Sequence, residues 1–236
     1  MNLIFIGDSL MQYNDESTYP QTGWPQGLKD FIKDGIKVLN FAHNGASTKS
    51  IQDLGFYSNA INSIEKGDYV FISFGHNDEK VQSPERYTRP FNEYQDNLRK
   101  FIDESRKRGA TPILLTPIYR RIFKDGVIAD GVFGEYPKAM KEVAKEKGVY
   151  LIDMTTLVKN FYSKVGDEAS KRFVMNFAPG LYENYPEGKE DNTHLRPEGA
   201  KLIDTIVLKQ LVKDNHYLKT IIKDELINNL NEEQYY

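Results

Sequence analysis

Ser9 stands in Gly7-Asp8-Ser9-Leu10, and His194 closes the stretch Asp191-Asn192-Thr193-His194. A serine hydroxyl is a poor nucleophile at neutral pH unless a neighbouring base takes its proton. Histidine suits that task, and its second ring nitrogen then needs an acceptor to fix tautomer and orientation. Asp191 precedes His194 by three residues, close enough in the chain to turn toward the same ring. A hydroxyl, an imidazole and a carboxylate of this kind perform acyl transfer. Each also has an ordinary alternative, since Gly-Asp-Ser-Leu makes a good turn and helix cap. Asp8 and Asp78 compete for the place of the acid and rank below Asp191, because turn-forming roles explain both.

Acyl transfer builds negative charge on a carbonyl oxygen, so donors must already be in place for it. Asn44-Gly45-Ala46-Ser47-Thr48 can offer the Gly45 backbone N–H with no side chain in the way, and Gly75-His76-Asn77-Asp78 can offer the Asn77 amide. Asn-Gly and Asn-Asp are also common turn residues. Location separates the two possibilities.

The elements that must position these residues are short apolar runs alternating with longer helical patterns, the pattern of a parallel α/β sheet. Strands are expected at 3–6, 37–41, 69–74, 112–116 and 149–152, rich in Ile, Val, Leu and Phe without clear alternation. Helices are expected at 24–33, 91–108, 136–147, 155–164 and 200–211, with Gly109 and Gly148 as stops. Loops are expected at 119–135 and 173–192. Ligands in such sheets gather beyond the carboxyl ends of the strands. Ser9, Gly45 and Asn77 follow the first three strands, so one edge of the sheet would receive all three.

The bulk properties narrow the field further. The 236 residues can bury a core without covalent staples, and the absence of cysteine excludes disulfides, thiol nucleophiles and Cys-ligated zinc. A net charge of −3 argues against a broadly basic nucleic-acid surface. The opening residues carry no basic leader and no apolar stretch of membrane-spanning length, so a cytoplasmic location is expected. One domain is expected over 1–212, with 213–236 as a helical extension packed on it. His43 and His76 lack metal-like spacing with any carboxylate cluster and are read as structural.

Taken together, the four blocks resemble the SGNH (GDSL) hydrolases. They are Ser9 in Gly-Asp-Ser-Leu, Gly45 in Asn40-Phe41-Ala42-His43-Asn44-Gly45, Asn77 in Gly-His-Asn-Asp and His194 in Asp-Asn-Thr-His. The resemblance implies a flavodoxin-like three-layer αβα sandwich with a five-stranded parallel sheet. It assigns Ser9 as nucleophile, His194 as base and Asp191 as orienting acid. The oxyanion hole would be the N–H groups of Ser9 and Gly45 with the Asn77 side chain, and neither metal nor organic cofactor is implied.

Within that family the likeness is to the rhamnogalacturonan acetylesterases. It is carried by Thr22-Gly23-Trp24, by Phe74 with Gly-His-Asn-Asp, by Thr116-Pro117-Ile118-Tyr119-Arg120-Arg121, and by Asn184-Tyr185-Pro186-Glu187-Gly188. Leu10 departs from the subgroup, which usually carries Thr there. The implied reaction is removal of acetyl groups from acetylated sugars, with a small molecule or oligosaccharide as partner and neither nucleic acid nor membrane. Arg120 or Arg121 would meet a galacturonate carboxylate through the planar guanidinium fork. Trp24, Tyr13 and Tyr57 would offer stacking faces. The rival readings are a lysophospholipase or thioesterase with the same triad, and a carbohydrate-binding protein with a dead site.

Overall fold

The structure, a computed structural model, describes residues 1–231; residues 232–236, the end of the expected extension, lie outside the described residues. In chain order the strands are β1 (Asn2–Gly7), β2 (Lys37–Asn40), β3 (Tyr69–Ser73), β4 (Thr111–Leu115), β5 (Phe123–Lys124), β6 (Val127–Ile128), β7 (Tyr150–Ile152), β8 (Val174–Phe177) and β9 (Lys189–Leu195). The α-helices are α1 (Ser50–Asp53), α2 (Phe56–Ser63), α3 (Gln95–Lys107), α4 (Tyr136–Lys147), α5 (Met154–Val165), α6 (Asp167–Ser170), α7 (Pro197–Lys213) and α8 (Asp224–Asn231). They fall into two compact units, one of Met1–Gln12, Lys37–Ile118 and Gly131–Thr155, the other of Tyr13–Ile36, Tyr119–Asp130 and Thr156–Tyr236.

The first unit holds a five-stranded parallel sheet in the order β2-β1-β3-β4-β7. Counting only its own strands, that is 2-1-3-4-5, the flavodoxin-like order expected. The register pairs Leu3 with Val38 on one side of β1 and with Tyr69 on the other. Alternate residues Ile4, Ile6, Val70, Ile72 and Leu114 join one core with Leu98, Phe101 and Ile102 of α3 and Met140 and Val143 of α4. Residues between them on β1 and β3 are buried too, with the Phe5 and Phe71 rings stacked at 4.8 Å. Burial of both sets explains why these strands read as continuous apolar runs. The expected helix 91–108 begins instead as a wide turn, Pro90–Tyr94, kinked at Asn92, and becomes α-helical only over α3.

In the second unit, α7 buries Leu202, Ile203, Ile206, Val207, Leu208 and Leu211, and Trp24 and Leu28 are buried as well. The helix expected at 24–33 is two 3-10 turns, Trp24–Gln26 and Leu28–Asp30. Gly27, where the two turns meet, carries the backbone-entropy cost that disfavours continuation. Segment 173–192, expected as a loop, contains β8 and most of β9, which pair antiparallel. Past α7, Leu218, Ile221 and Ile222 are buried, and Lys33 N–H donates to Ile221 O at 2.8 Å.

Candidate active site

In the first unit the polypeptide reverses direction in the strand order at β1, with β2 on one side and β3 on the other. Crevices form at such switch points, beyond the carboxyl ends of the strands. Ser9, Gly45 and Asn77 belong to the segments that leave these three adjacent strands. Gly7 ends β1 where a side chain has no room, since a Cβ would lie 2.8 Å from Ser73 O. Beyond it Asp8 shapes the turn that carries Ser9: its Oδ1 accepts Leu10 N–H at 3.1 Å, and its backbone O accepts those of Met11 and Gln12.

The loop after β2 is tied to this turn. Asn40 Nδ2 donates to Met11 O at 2.6 Å, and His43 N–H donates to Gly7 O at 3.1 Å. Gly45 adopts φ 73°, a left-handed backbone that a side chain would strain. A Cβ there would also meet the Arg86 guanidinium at 3.2 Å. After β3, Asn77 is 3 % exposed; its Nδ2 donates to Ala46 O at 2.9 Å, and its Oδ1 accepts from Lys80 Nζ at 2.8 Å.

Asp8 and Asp78, the competing acids, are both occupied within this unit. Asp8 Oδ2 lies 2.8 Å from Nδ1 of the buried His76, whose Nε2 lies 2.9 Å from Ile118 O. Asp78 accepts from Thr48 N–H, Thr48 Oγ1 and Thr88 Oγ1. Burial pushes its carboxyl up to about 7, against those hydrogen bonds and with help from the charge of Asp8.

In the second unit, Asp191 and His194 lie on β9 rather than in a loop. Asp191 Oδ2 is 2.7 Å from His194 Nδ1, and its Oδ1 accepts the backbone N–H of Thr193 at 2.8 Å and of His194 at 3.1 Å. Burial raises the carboxyl, but the hydrogen bond and charge of His194 and the two backbone N–H groups outweigh it, holding Asp191 at about 2. An ionised Asp191 is placed to accept a hydrogen bond from Nδ1–H, the tautomer whose lone pair lies on Nε2.

The stretch between these two residues is anchored by Arg121. This side chain is 3 % exposed; its guanidinium donates to Asn192 Oδ1 at 2.5 Å, Ser170 Oγ at 2.9 Å, Asp167 O at 2.6 Å and the Asp167 carboxylate. Its backbone N–H donates to Asn192 O at 2.8 Å. The donors expected to meet a substrate carboxylate are turned to the protein instead. Arg120 is half-buried. Trp24 has 0 % exposure and so presents no stacking face to solvent, and Tyr57 is packed against Phe101 with its hydroxyl on Glu104; Tyr13 is exposed. Among the described residues no group of three or more His, Cys, Asp or Glu is placed to hold a metal ion.

Residues 3–204 match the family described as GDSL-like Lipase/Acylhydrolase. The chain belongs to that family. This GDSL hydrolase is 36% identical over 228 residues to rhamnogalacturonan acetylesterase RhgT of Bacillus subtilis (strain 168), covering 97% of this chain and 95% of that one. A second relative from the same organism, the probable rhamnogalacturonan acetylesterase YesY, is 34% identical, with 88% and 91% covered. The crystal structure of the YxiM protein of Bacillus subtilis shares the fold, with a TM-score of 0.74 at 23% identity; the match covers 92% of this chain and 57% of that one. The GDSL hydrolase is accordingly a carboxylic ester hydrolase. Among its described residues no helix is long and apolar enough to cross a membrane.

His76, read from the sequence as structural, pairs with Asp8. Sequence reasoning left two residues of these surroundings unread: Lys80 caps the Asn77 amide, and Arg86 lies against Gly45. The position of Lys80 just after Gly-His-Asn-Asp was the available signal for one of them; nothing local marks Arg86.

Proposed function

We propose that this hydrolase removes acetyl groups from acetylated sugars, with rhamnogalacturonan-derived oligosaccharides as the substrate class, through an acetyl-Ser9 intermediate. The observation that carries the reading is the 2.7 Å pairing of Asp191 with His194 Nδ1. It supplies an oriented base, and the relatives' names point to acetyl esters of a pectic polymer.

In this reading His194 Nε2 takes the Ser9 proton as Oγ bonds to the acetyl carbonyl carbon. The tetrahedral oxyanion is met by the N–H groups of Ser9 and Gly45 and by Asn77 Nδ2, each worth about 3 kcal/mol in such sites. As the intermediate collapses, the bond from carbon to the sugar oxygen breaks and His194 returns the proton to that oxygen. Water, deprotonated by the same ring, then attacks acetyl-Ser9; acetate leaves and the Ser9 hydroxyl is restored. Asp191 stays ionised throughout and stabilises the imidazolium. We assign residues 1–212 to the hydrolase domain and 213–236 to an extension of it. For a uronate carboxylate we favour Arg86, whose guanidinium lies beside Gly45 and carries a planar donor fork.

The test is acetate release from acetylated rhamnogalacturonan and xylan oligosaccharides beside simple esters of increasing acyl length. Acetyl esters of pectic fragments are expected to turn over fastest. Preference for long acyl chains would overturn the reading in favour of a lipid-directed esterase.

A further inference from the structure

The Asn77 side chain has one donor group and one acceptor, and its two flanking partners leave it one orientation. Ala46 O can only accept and the Lys80 ammonium can only donate, so Nδ2 faces Ala46 at 2.9 Å and Oδ1 faces Lys80 at 2.8 Å. The lysine reaches back over a short turn, its own N–H bonded to Asn77 O at 3.3 Å. Its half-buried side chain is therefore directed by the local backbone to the amide three residues earlier. Ala46 directly follows Gly45, so the same amide also joins the loop after β3 to the loop that bears the other candidate donor.

We propose that Lys80 is a positioning residue for ester hydrolysis: its ammonium locks and polarises the Asn77 amide so that the second Nδ2 hydrogen is held ready for the oxyanion. The inference rests on the oxyanion role given to Asn77 above. A cation on a carboxamide oxygen draws electron density from the nitrogen and strengthens both N–H donors, and linked hydrogen bonds reinforce one another in a buried setting. One Nδ2 hydrogen is committed to Ala46 O, where it fixes the amide plane. The strengthened second hydrogen acts where negative charge develops, so the effect falls on kcat more than on KM.

The experiment is a double-mutant cycle on acetyl ester hydrolysis with Lys80→Met, Asn77→Ala and the pair, with Lys80→Gln as the variant that keeps a neutral donor. Lys80→Met is expected to lower kcat by roughly 10-fold with KM little changed, and Lys80→Gln by less. Asn77→Ala is expected to lower kcat by about 10²–10³-fold, and Lys80→Met added to it to cost nothing further. Losses that multiply in the pair would show Lys80 acting independently of Asn77, by direct charge or by contact with substrate, and would overturn the proposal. So would a Lys80→Met enzyme that is folded and as active as the parent. Full activity in Asn77→Ala would overturn the oxyanion role itself and the lysine's with it, which separates the two failures.

Discussion

Asp191 holds His194 by two atoms at once: Oδ2 lies 2.7 Å from the ring Nδ1, while Oδ1 accepts the histidine's own backbone N–H at 3.1 Å. The carboxylate thereby sets the ring relative to its own main chain. Replacing Asp191 by Asn should preserve size and fold but offer an amide N–H to Nδ1, favouring the tautomer that cannot act as base at Nε2. A fall in kcat of about 10⁴-fold is expected. Steady-state kinetics beside circular dichroism measures it; near-normal turnover would assign the orienting task elsewhere.

The same pairing has a pH signature. The folded carboxyl at about 2 lies below its unfolded value of about 3.9, so its contribution to stability is present above that value and withdrawn as pH falls through 2. Acid titration of the folded state should therefore show Asp191→Asn losing less stability between pH 4 and about 2 than the parent. Superimposable acid-unfolding curves would contradict this.

Asp204 acts in the opposite sense. It is fully buried in α7 with neither carboxylate oxygen hydrogen-bonded, and burial, with the nearby charge of Asp30, pushes its carboxyl well up. A raised folded value means stability is greatest below the unfolded value, near 4, and is lost as pH rises. Asp204→Asn removes the ionisation, and urea unfolding should show it more stable than the parent at pH 8 by about 1–3 kcal/mol. Asp78, pushed up to about 7, keeps some of the slope in that variant. An unchanged pH dependence would show that Asp204 is not its source.

Arg121 separates a structural from a substrate-binding guanidinium. Its donors go to Asp167, Ser170 and Asn192, so Arg121→Ala should leave buried acceptors unmatched and destabilise the fold by about 3–5 kcal/mol. Any activity that survives should fall equally on neutral and uronate-bearing acetyl esters. Selective loss on the acidic substrates would return Arg121 to substrate recognition.

How much of this was legible depended on whether a residue's environment is local. The inner strands β1, β3 and β4 were readable because parallel strands buried on both sets of side chains leave uninterrupted apolar runs such as Leu3-Ile4-Phe5-Ile6. The ends of β1, β2 and β3 then located the segments of Ser9, Gly45 and Asn77. By contrast, β9 runs through Lys189-Glu190-Asp191-Asn192-Thr193-His194, polar enough to read as loop. It is held extended by β8 and by Arg121, some seventy residues earlier in the chain. The short helices α1 and α2 went unread amid Ser, Asn and Gln, and the helix expected at 24–33 gave way to two short turns that meet at Gly27. Trp24 looked like a stacking face because an aromatic beside a glycine reads the same in core and cleft; its burial is a tertiary fact.

The most direct measurement is to quench the enzyme during turnover of an activated acetyl ester and map the acetyl group by peptide mass spectrometry. The account requires the label on Ser9, increased when deacylation is slowed, and requires Ser9→Ala to remain folded without releasing acetate. Acetyl found on another residue, or steady acetate release by the Ser9→Ala enzyme, would contradict it.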